Sequence, residues 1–197
     1  MAFMNLENSP MADLVGLCSR FMLHLPLVGL FLRMWGFQAV NHNNLKRLLR
    51  SEVNVGLVPG GFEEATLTVQ DELRVYIKKR KGFIKYALEN NYAIHPVLAV
   101  NEHKYFWTFR YFEQARLWLN KIKLPGVFYW SKQSALLLPF NLHYVAVVGK
   151  GIKGRVYHEG EKATKEEINK AHGEYIEEIK RMHAKHSELC QVPLKLY

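Results

Sequence analysis

Two short apolar runs on either side of one helical segment limit what this chain can become. Residues 53–58 (VNVGLV) read as a strand suited to burial on both faces of a parallel sheet, and residues 92–100 (YAIHPVLAV) read as another. Between them, residues 73–77 (LRVYI) suit a short extended segment, and residues 82–90 (GFIKYALEN) have helical character. A strand, helix, strand series of this length predicts a βαβ unit and an α/β class, with a mixed, largely parallel sheet flanked by helices. A further strand is expected over residues 142–148 (LHYVAVV), ended by Gly149.

The clearest helix lies near the C-terminus. Thr164 and Glu167 form a capping box, and Ile168, Ala171, Tyr175, Ile179, Met182, His186 and Leu189 follow at helical spacing. Residues 41–44 (NHNN) offer caps for a short amphipathic helix carrying Leu45, Leu48 and Leu49, and residues 37–40 (FQAV) suit a short strand. Residues 11–36 are expected to be helical with a break near Pro26. Within them, residues 21–32 (FMLHLPLVGLFL) are the longest uncharged stretch, well short of the ~20 apolar residues that cross a bilayer. Glu7 and Asp13 interrupt the N-terminal region, which does not read as a signal peptide. Residues 14–35 fit either a helix buried on a sheet or one lying in a membrane interface; the sparse polar face favours burial. Residues 104–119, dense in aromatic side chains, fit a core edge or a cover over an apolar opening, the core edge being favoured.

A length of 197 residues with 49% hydrophobic content suits one domain spanning residues 1–197. Lys and Arg number 27 against 18 acids, a net charge of +9, which favours phosphates of nucleic acid, anionic lipid or a phosphorylated ligand. Cys18 and Cys190 lie far apart and match no metal spacing, as expected of unpaired thiols in a reducing compartment. No metal site is expected.

Chemistry concentrates in two stretches. In NVGLVPGGFEEAT, residues 54–66, Gly60 and Gly61 permit unusual backbone conformations and close approach of a ligand, at the end of a strand expected to be interior. Glu63 and Glu64 follow at once, so a carboxylate arrives at the mouth of the sheet; a plain turn with solvated acids gives the same pattern. In KKRKGFIKYAL, residues 78–88, four cations precede Gly82 and a helix start, which brings cationic side chains and helix N–H groups to one point. That suits a phosphate, while a solvated basic turn and a nucleic-acid patch are the rivals. No helix-turn-helix, zinc or RNP pattern accompanies the basic run, and a pocket fits it better than a groove reader.

The fragments VPGGFEEAT, RKGFIKYAL and IHPVLAVNE, in that order and spacing, resemble the diacylglycerol and monoacylglycerol acyltransferase family that includes wax synthases, within the glycerolipid acyltransferase superfamily. AFMNLENSP is similar to the stretch shortly after the family's HPHG motif, LPLVGLFLRMWGFQAVNHNNLKRLL to its helix, strand, helix region, and VVGKGI to its VVGEPI strand end. The resemblance covers most of the chain, and RKGF with the helix and Pro-Val strand after it is its most specific part. It implies a glycerolipid acyltransferase-like fold whose N-terminal part lies before this sequence.

The resemblance implies transfer of a fatty acyl group from acyl-CoA to an acylglycerol or other lipid hydroxyl, at the cytosolic face of the endoplasmic reticulum membrane or at lipid droplets, with acyl-CoA as co-substrate and no further cofactor. In the family a histidine deprotonates the hydroxyl that attacks the thioester, and nearby donors hold the oxyanion. Gly60, Gly61 and Glu64 match the GGxxE-type motif, with Glu64 as the catalytic carboxylate. Arg80, Lys81, Gly82 and Phe83 match RxGF and would meet the coenzyme A phosphates, and Glu102 stands where the family has the acid of GEN. Here that segment reads Asn101-Glu102-His103, a GRG-like segment reads YWSKQ, and VVGEP reads VVGKG. No HPHG occurs in the 197 residues, and His24, His95, His103 and His143 each read as structural. The isolated chain is therefore expected not to turn over, since the missing base is worth ~10²–10⁴-fold. A non-catalytic acyl-CoA or lipid binder of the same fold is the other reading.

Overall fold

The computed structural model describes residues 14–122, 124, 126–130 and 145–197, which fall into two compact units divided between Pro59 and Gly60. The first unit runs β1 (Val15–Cys18), α1 (Arg20–His24), α2 (Val28–Met34), β2 (Gln38–Ala39), α3 (His42–Arg50) and β3 (Val55–Leu57). Its three strands are parallel in the order β2-β1-β3, with Leu17 opposite both Gln38 and Leu57. Asn41 caps α3 by accepting the Asn44 N–H at 2.9 Å, and α3 buries Leu45, Leu48 and Leu49 as its spacing predicts.

Two expectations for this unit change. Residues 15–18 are a strand, because Ser19 starts a helix of its own by accepting the Met22 N–H, which leaves the apolar run before it to pair with β3. Among the described residues β3 is an edge of the three-stranded sheet, with Val58 exposed beyond it, so the strand that ends in Pro59 is not interior. The break near Pro26 is present as a tight γ-turn: the Val28 N–H donates to the Pro26 carbonyl at 2.6 Å, with Leu27 at φ 60 and ψ −59.

The second unit continues with α4 (Gly61–Leu67), β4 (Leu73–Val75), α5 (Gly82–Glu89), β5 (Val97–Val100), β6 (Trp107–Thr108), α6 (Glu113–Lys121), β7 (Tyr129–Trp130), β8 (Val145–Val148), α7 (Lys165–Lys185), α8 (Ser187–Cys190) and β9 (Leu194–Leu196). The capping box on α7 is present, with the Thr164 side chain accepting the Glu167 N–H and the Glu167 carboxylate accepting the Thr164 N–H. α7 ends at Lys185; His186 is its cap and Leu189 lies exposed in α8. Ala171, Tyr175 and Ile179 of α7 close over Ile77, Ile84, Leu88 and Ile94 to form the main core.

The expected strand, helix, strand series is present as β3, the short β4, α5 and β5, but among the described residues none of these strands pairs with another of them. β4 pairs in parallel with β9, and β5 pairs antiparallel with β8, so α5 is not the crossover of a single sheet. Partners from the distant C-terminal part displaced the local pairing. Within the described residues the class is mixed helix and strand, with small, mostly parallel sheets flanked by helices.

The aromatic region also departs from the favoured expectation. Phe106 packs on Tyr129 and Phe109 on Phe128, yet Trp107, Tyr111, Phe112 and Trp118 are exposed. α6 turns a polar face inward. The Arg116 guanidinium donates to the carbonyls of Tyr111, Thr66 and Gly126, and Asn120 donates to the Phe62 carbonyl and the Thr66 hydroxyl while accepting the Gly126 N–H. This network fixes α6 on α4, and its demand for buried polar partners leaves the aromatic side of α6 facing out.

Candidate functional site

The two glycines start α4. Gly61 has φ +60, a conformation that favours glycine, and a Cβ on Gly60 would collide with the Glu64 side chain one turn along. The sharp turn therefore delivers both acids of GGFEE within the first turn of α4.

Both acids are held by the stretch that leads into RKGF. The Tyr76 N–H donates to Glu64 Oε2 at 2.9 Å, and Glu63 pairs with Arg80 at 2.5 Å. The Arg80 guanidinium lies over the Tyr76 ring at 5.3 Å, while its Nε is buried without a hydrogen-bond partner. Burial pushes the Glu64 carboxyl up to about 7, against the pull of the Tyr76 N–H, and the nearby Glu102 adds to the rise.

Glu102 sits in a single 3₁₀ turn, Glu102–Lys104, entered through Asn101 in the left-handed conformation. Its side chain reaches solvent, yet surrounding protein raises its carboxyl above the ordinary range. Tyr129 adds a hydroxyl near the two acids: it donates to the Ala65 carbonyl at 3.3 Å, and burial together with Glu102 and Glu64 raises it. Tyr175, buried and also within the field of Glu64, is pushed up to about 12.

The basic turn leaves α5 open. Lys81 occupies the cap position, no side chain caps the helix, and a Cβ on Gly82 would meet nothing within 4 Å. Lys78, Lys79, Lys81 and Gly82 are exposed, so a ligand can reach the first-turn N–H groups and the ammonium groups together. Lys81 Nζ donates to Asn169 Oδ1 at 2.7 Å, which steadies it beside α7. Phe83 is different from its neighbours: it turns inward and packs edge-on against Tyr175, with ring centroids 5.3 Å apart.

Of the residues expected at the site, Gly60, Gly61, Glu64, Arg80 and Glu102 converge through these bonds and fields, Lys81 and Gly82 form the open helix start beside them, and Phe83 anchors that helix from below. Sequence reasoning saw Glu63 only as the other acid of GGFEE and gave it no partner. Tyr76, Tyr129 and Tyr175 it missed, since nothing local marks tyrosines that are recruited from separate elements.

Two of the histidines bond away from this cluster. His24 bonds the Arg20 carbonyl and His95 the Gly149 carbonyl. His103 is buried with neither ring nitrogen partnered, and burial lowers it to about 4. His143 and the end of YWSKQ lie outside the described residues. Among the described residues there is no cluster of metal-binding side chains, and Cys18 and Cys190 are unpaired.

Comparison with known proteins concerns the chain as a whole. The family described as diacylglycerol acyltransferase matches residues 11–196. The chain is 28% identical over 189 residues to 2-acylglycerol O-acyltransferase 3 of Homo sapiens, covering 87% of this chain and 54% of that protein. It is 30% identical over 172 residues to diacylglycerol O-acyltransferase 1 of Eremothecium gossypii, covering 80% and 36% respectively. To acyl-CoA wax alcohol acyltransferase 1 of Homo sapiens it is 25% identical over 174 residues, covering 82% and 52%. The chain thus spans about half or less of the length of these relatives. No solved structure matches it. With its family match running from residue 11 to residue 196, the chain belongs to the diacylglycerol acyltransferase family.

Proposed function

We propose that this chain forms the acyl-CoA-facing part of an O-acyltransferase that moves a fatty acyl group from acyl-CoA to the hydroxyl of a diacylglycerol or monoacylglycerol in neutral lipid synthesis. The observation that carries it is the joining of GGFEE to RKGF by the Glu63–Arg80 pair and the Tyr76–Glu64 hydrogen bond. Acidic and cationic halves of one site are thereby tied together, next to an uncapped helix start suited to the coenzyme A phosphates.

In this reading the exposed Lys78, Lys79 and Lys81 with the α5 N–H groups hold the phosphates, and the thioester extends toward Glu64 and Glu102. The acceptor oxygen attacks the thioester carbonyl, an ester C–O bond forms, the C–S bond breaks, and coenzyme A leaves as the thiol after taking up a proton. Glu64, titrating at about 7, can take or give a proton at neutral pH, which suits a carboxyl at the reaction centre. Acyl-CoA is the co-substrate, no other cofactor is invoked, and the work is placed at the cytosolic face of the endoplasmic reticulum membrane.

Titration calorimetry with palmitoyl-CoA tests the binding half. Binding should weaken as salt rises and weaken about tenfold or more in Arg80→Ala. Binding indifferent to both would end the reading. The chemical half is tested by joining the chain to the HPHG-bearing segment of a relative and following triacylglycerol formation. Glu64→Gln should lower turnover by ~10²-fold or more while binding persists; binding with no turnover in the parent chimaera would assign the chain to acyl-CoA retention instead.

A further inference from the structure

β4 and the residues that follow it are held along both edges. In an extended chain successive residues turn their N–H and C=O groups to opposite sides. One side of this segment faces β9: the Leu73 N–H donates to the Pro193 carbonyl at 2.9 Å, and the Val75 carbonyl accepts the Tyr197 N–H at 2.9 Å. The other side presents the Tyr76 N–H, which donates to Glu64 Oε2 at 2.9 Å. The direction of that N–H is therefore set by whatever grips Val75 and Ile77 on the far side.

Tyr197 grips both. Its main-chain oxygen accepts the Ile77 N–H at 3.1 Å and the Lys78 N–H at 2.7 Å, so one residue holds the chain before and after Tyr76. The basic turn begins at once from this point, where the Ile77 carbonyl accepts the Arg80 N–H at 2.9 Å and bonds the His172 ring of α7 at 3.0 Å. Arg80 then reaches back to Glu63 across the Tyr76 ring. Both acids of GGFEE thus meet a segment whose path is fixed by the C-terminal strand.

β9 is itself secured from elsewhere. A two-stranded pairing is marginal in water, but Leu194 and Leu196 pack against the main core and the His183 ring bonds the Val192 carbonyl at 2.8 Å, just before the strand. The Tyr197 ring lies 5.8 Å from the Arg74 guanidinium and 5.4 Å from the Lys195 ammonium, contacts that contribute little where solvent reaches them. The main chain of Tyr197, and not its ring, makes the bonds to the site segment.

We infer that Tyr197 is a positioning residue of the site: through its main-chain N–H and oxygen it holds the end of β4 so that the Tyr76 N–H meets Glu64 and the chain enters the turn of Lys78 to Lys81. The part assigned to Glu64 and the turn rests on the proposed function, but the readout of their positioning does not.

The test deletes Tyr197 from the 197-residue chain and follows amide hydrogen exchange residue by residue. Ile77 and Lys78 lose their acceptor outright and should exchange faster. The Tyr76 N–H keeps its own acceptor, so its exchange reports whether the segment still faces Glu64; it should quicken at least about tenfold, while Ile179 of the main core changes less than about twofold. With the Tyr76 donor withdrawn, the Glu64 carboxyl, followed by NMR, should titrate above about 7, because that bond pulls it down. Tyr197→Ala keeps the main chain and should match the parent in every reading. Tyr76 exchange or a Glu64 titration unmoved by the deletion would overturn the inference. So would equal quickening at Tyr76 and Ile179, which marks general opening, or the same losses in Tyr197→Ala, which would assign the effect to the ring. A parent chain that does not bind palmitoyl-CoA would refute the proposed function and leave the positioning standing. Binding by the parent, with Tyr76 still protected in the deletion variant, would refute the positioning alone.

Discussion

α7 and α2 have the same kind of sequence and opposite fates. Both place apolar residues along one helical face, but α7 buries Ala171, Tyr175, Ile179 and Met182, while α2 and its flanks expose Leu27, Leu30, Phe31, Met34 and Trp35. α7 carries its own start signal and runs for 21 residues beside α5 and β5. α2 has 7 residues, no side-chain cap and a strained first turn. Hydrophobic period reports that a face is apolar; what covers that face depends on elements elsewhere, or on something other than the chain.

Truncating one residue from each stripe puts this contrast under the most severe strain. Ile179→Ala opens a hole in the main core and should cost about 3 kcal/mol. Phe31→Ala should stay within about 0.5 kcal/mol, because its ring is already largely in water. Denaturant unfolding of the two variants decides it, and equal losses would mean that the α2 stripe is covered after all.

The same contrast explains how much of the molecule was legible in its sequence. Local signals succeeded: the Thr164–Glu167 box, the Asn41 cap and the helix after Lys81 are where spacing puts them, while the strand expected over residues 92–100 is confined to Val97–Val100. Non-local outcomes did not follow from the same signals. The strands on either side of α5 read as parts of one βαβ unit, yet β5 pairs with β8, β3 with β1, and Val75 of the short segment between pairs with Leu196 at the far end of the chain. At the candidate site, GGFEE and RKGF were readable as stretches, but their joining through Glu63, Arg80 and the Tyr76 N–H depends on the path of the chain between them. The inward polar face of α6 was hidden for a similar reason, since Arg116 and Asn120 are buried only because Thr66, Phe62 and Gly126 offer them partners.

Two titratable groups of the second unit diverge as the two helices do. The Glu64 carboxyl rises from 4.5 to about 7, so between those values the folded chain holds a proton that the unfolded chain has lost, and stability falls as pH rises. His103 moves from 6.5 to about 4, so there the unfolded chain holds the extra proton and stability rises with pH. Each is worth at most about 3 kcal/mol, and about 1–2 kcal/mol once solvent access is allowed for. The two slopes oppose each other between pH 4.5 and 6.5. Glu64→Gln should therefore unmask His103, giving a variant whose stability rises by about 1–2 kcal/mol across that window relative to the parent. Unfolding midpoints measured at three pH values check this; parallel profiles for parent and variant would show that Glu64 titrates normally.

Smaller effects lie at the two helix starts. Thr164→Ala removes the side-chain acceptor for the Glu167 N–H and should cost about 1 kcal/mol, the usual value of such a cap. α2 has no side-chain cap to lose, and the residue before it is held at a φ of 60 that glycine adopts without penalty. Leu27→Gly should therefore leave stability in solution unchanged or raise it by up to about 1 kcal/mol, since the leucine side chain it removes makes little contact. Thermal unfolding of the pair separates the cases. A clear loss in Leu27→Gly would mean that this leucine packs against the protein. A gain would mean that the backbone strain at this exposed leucine is offset by no packing contact of its side chain.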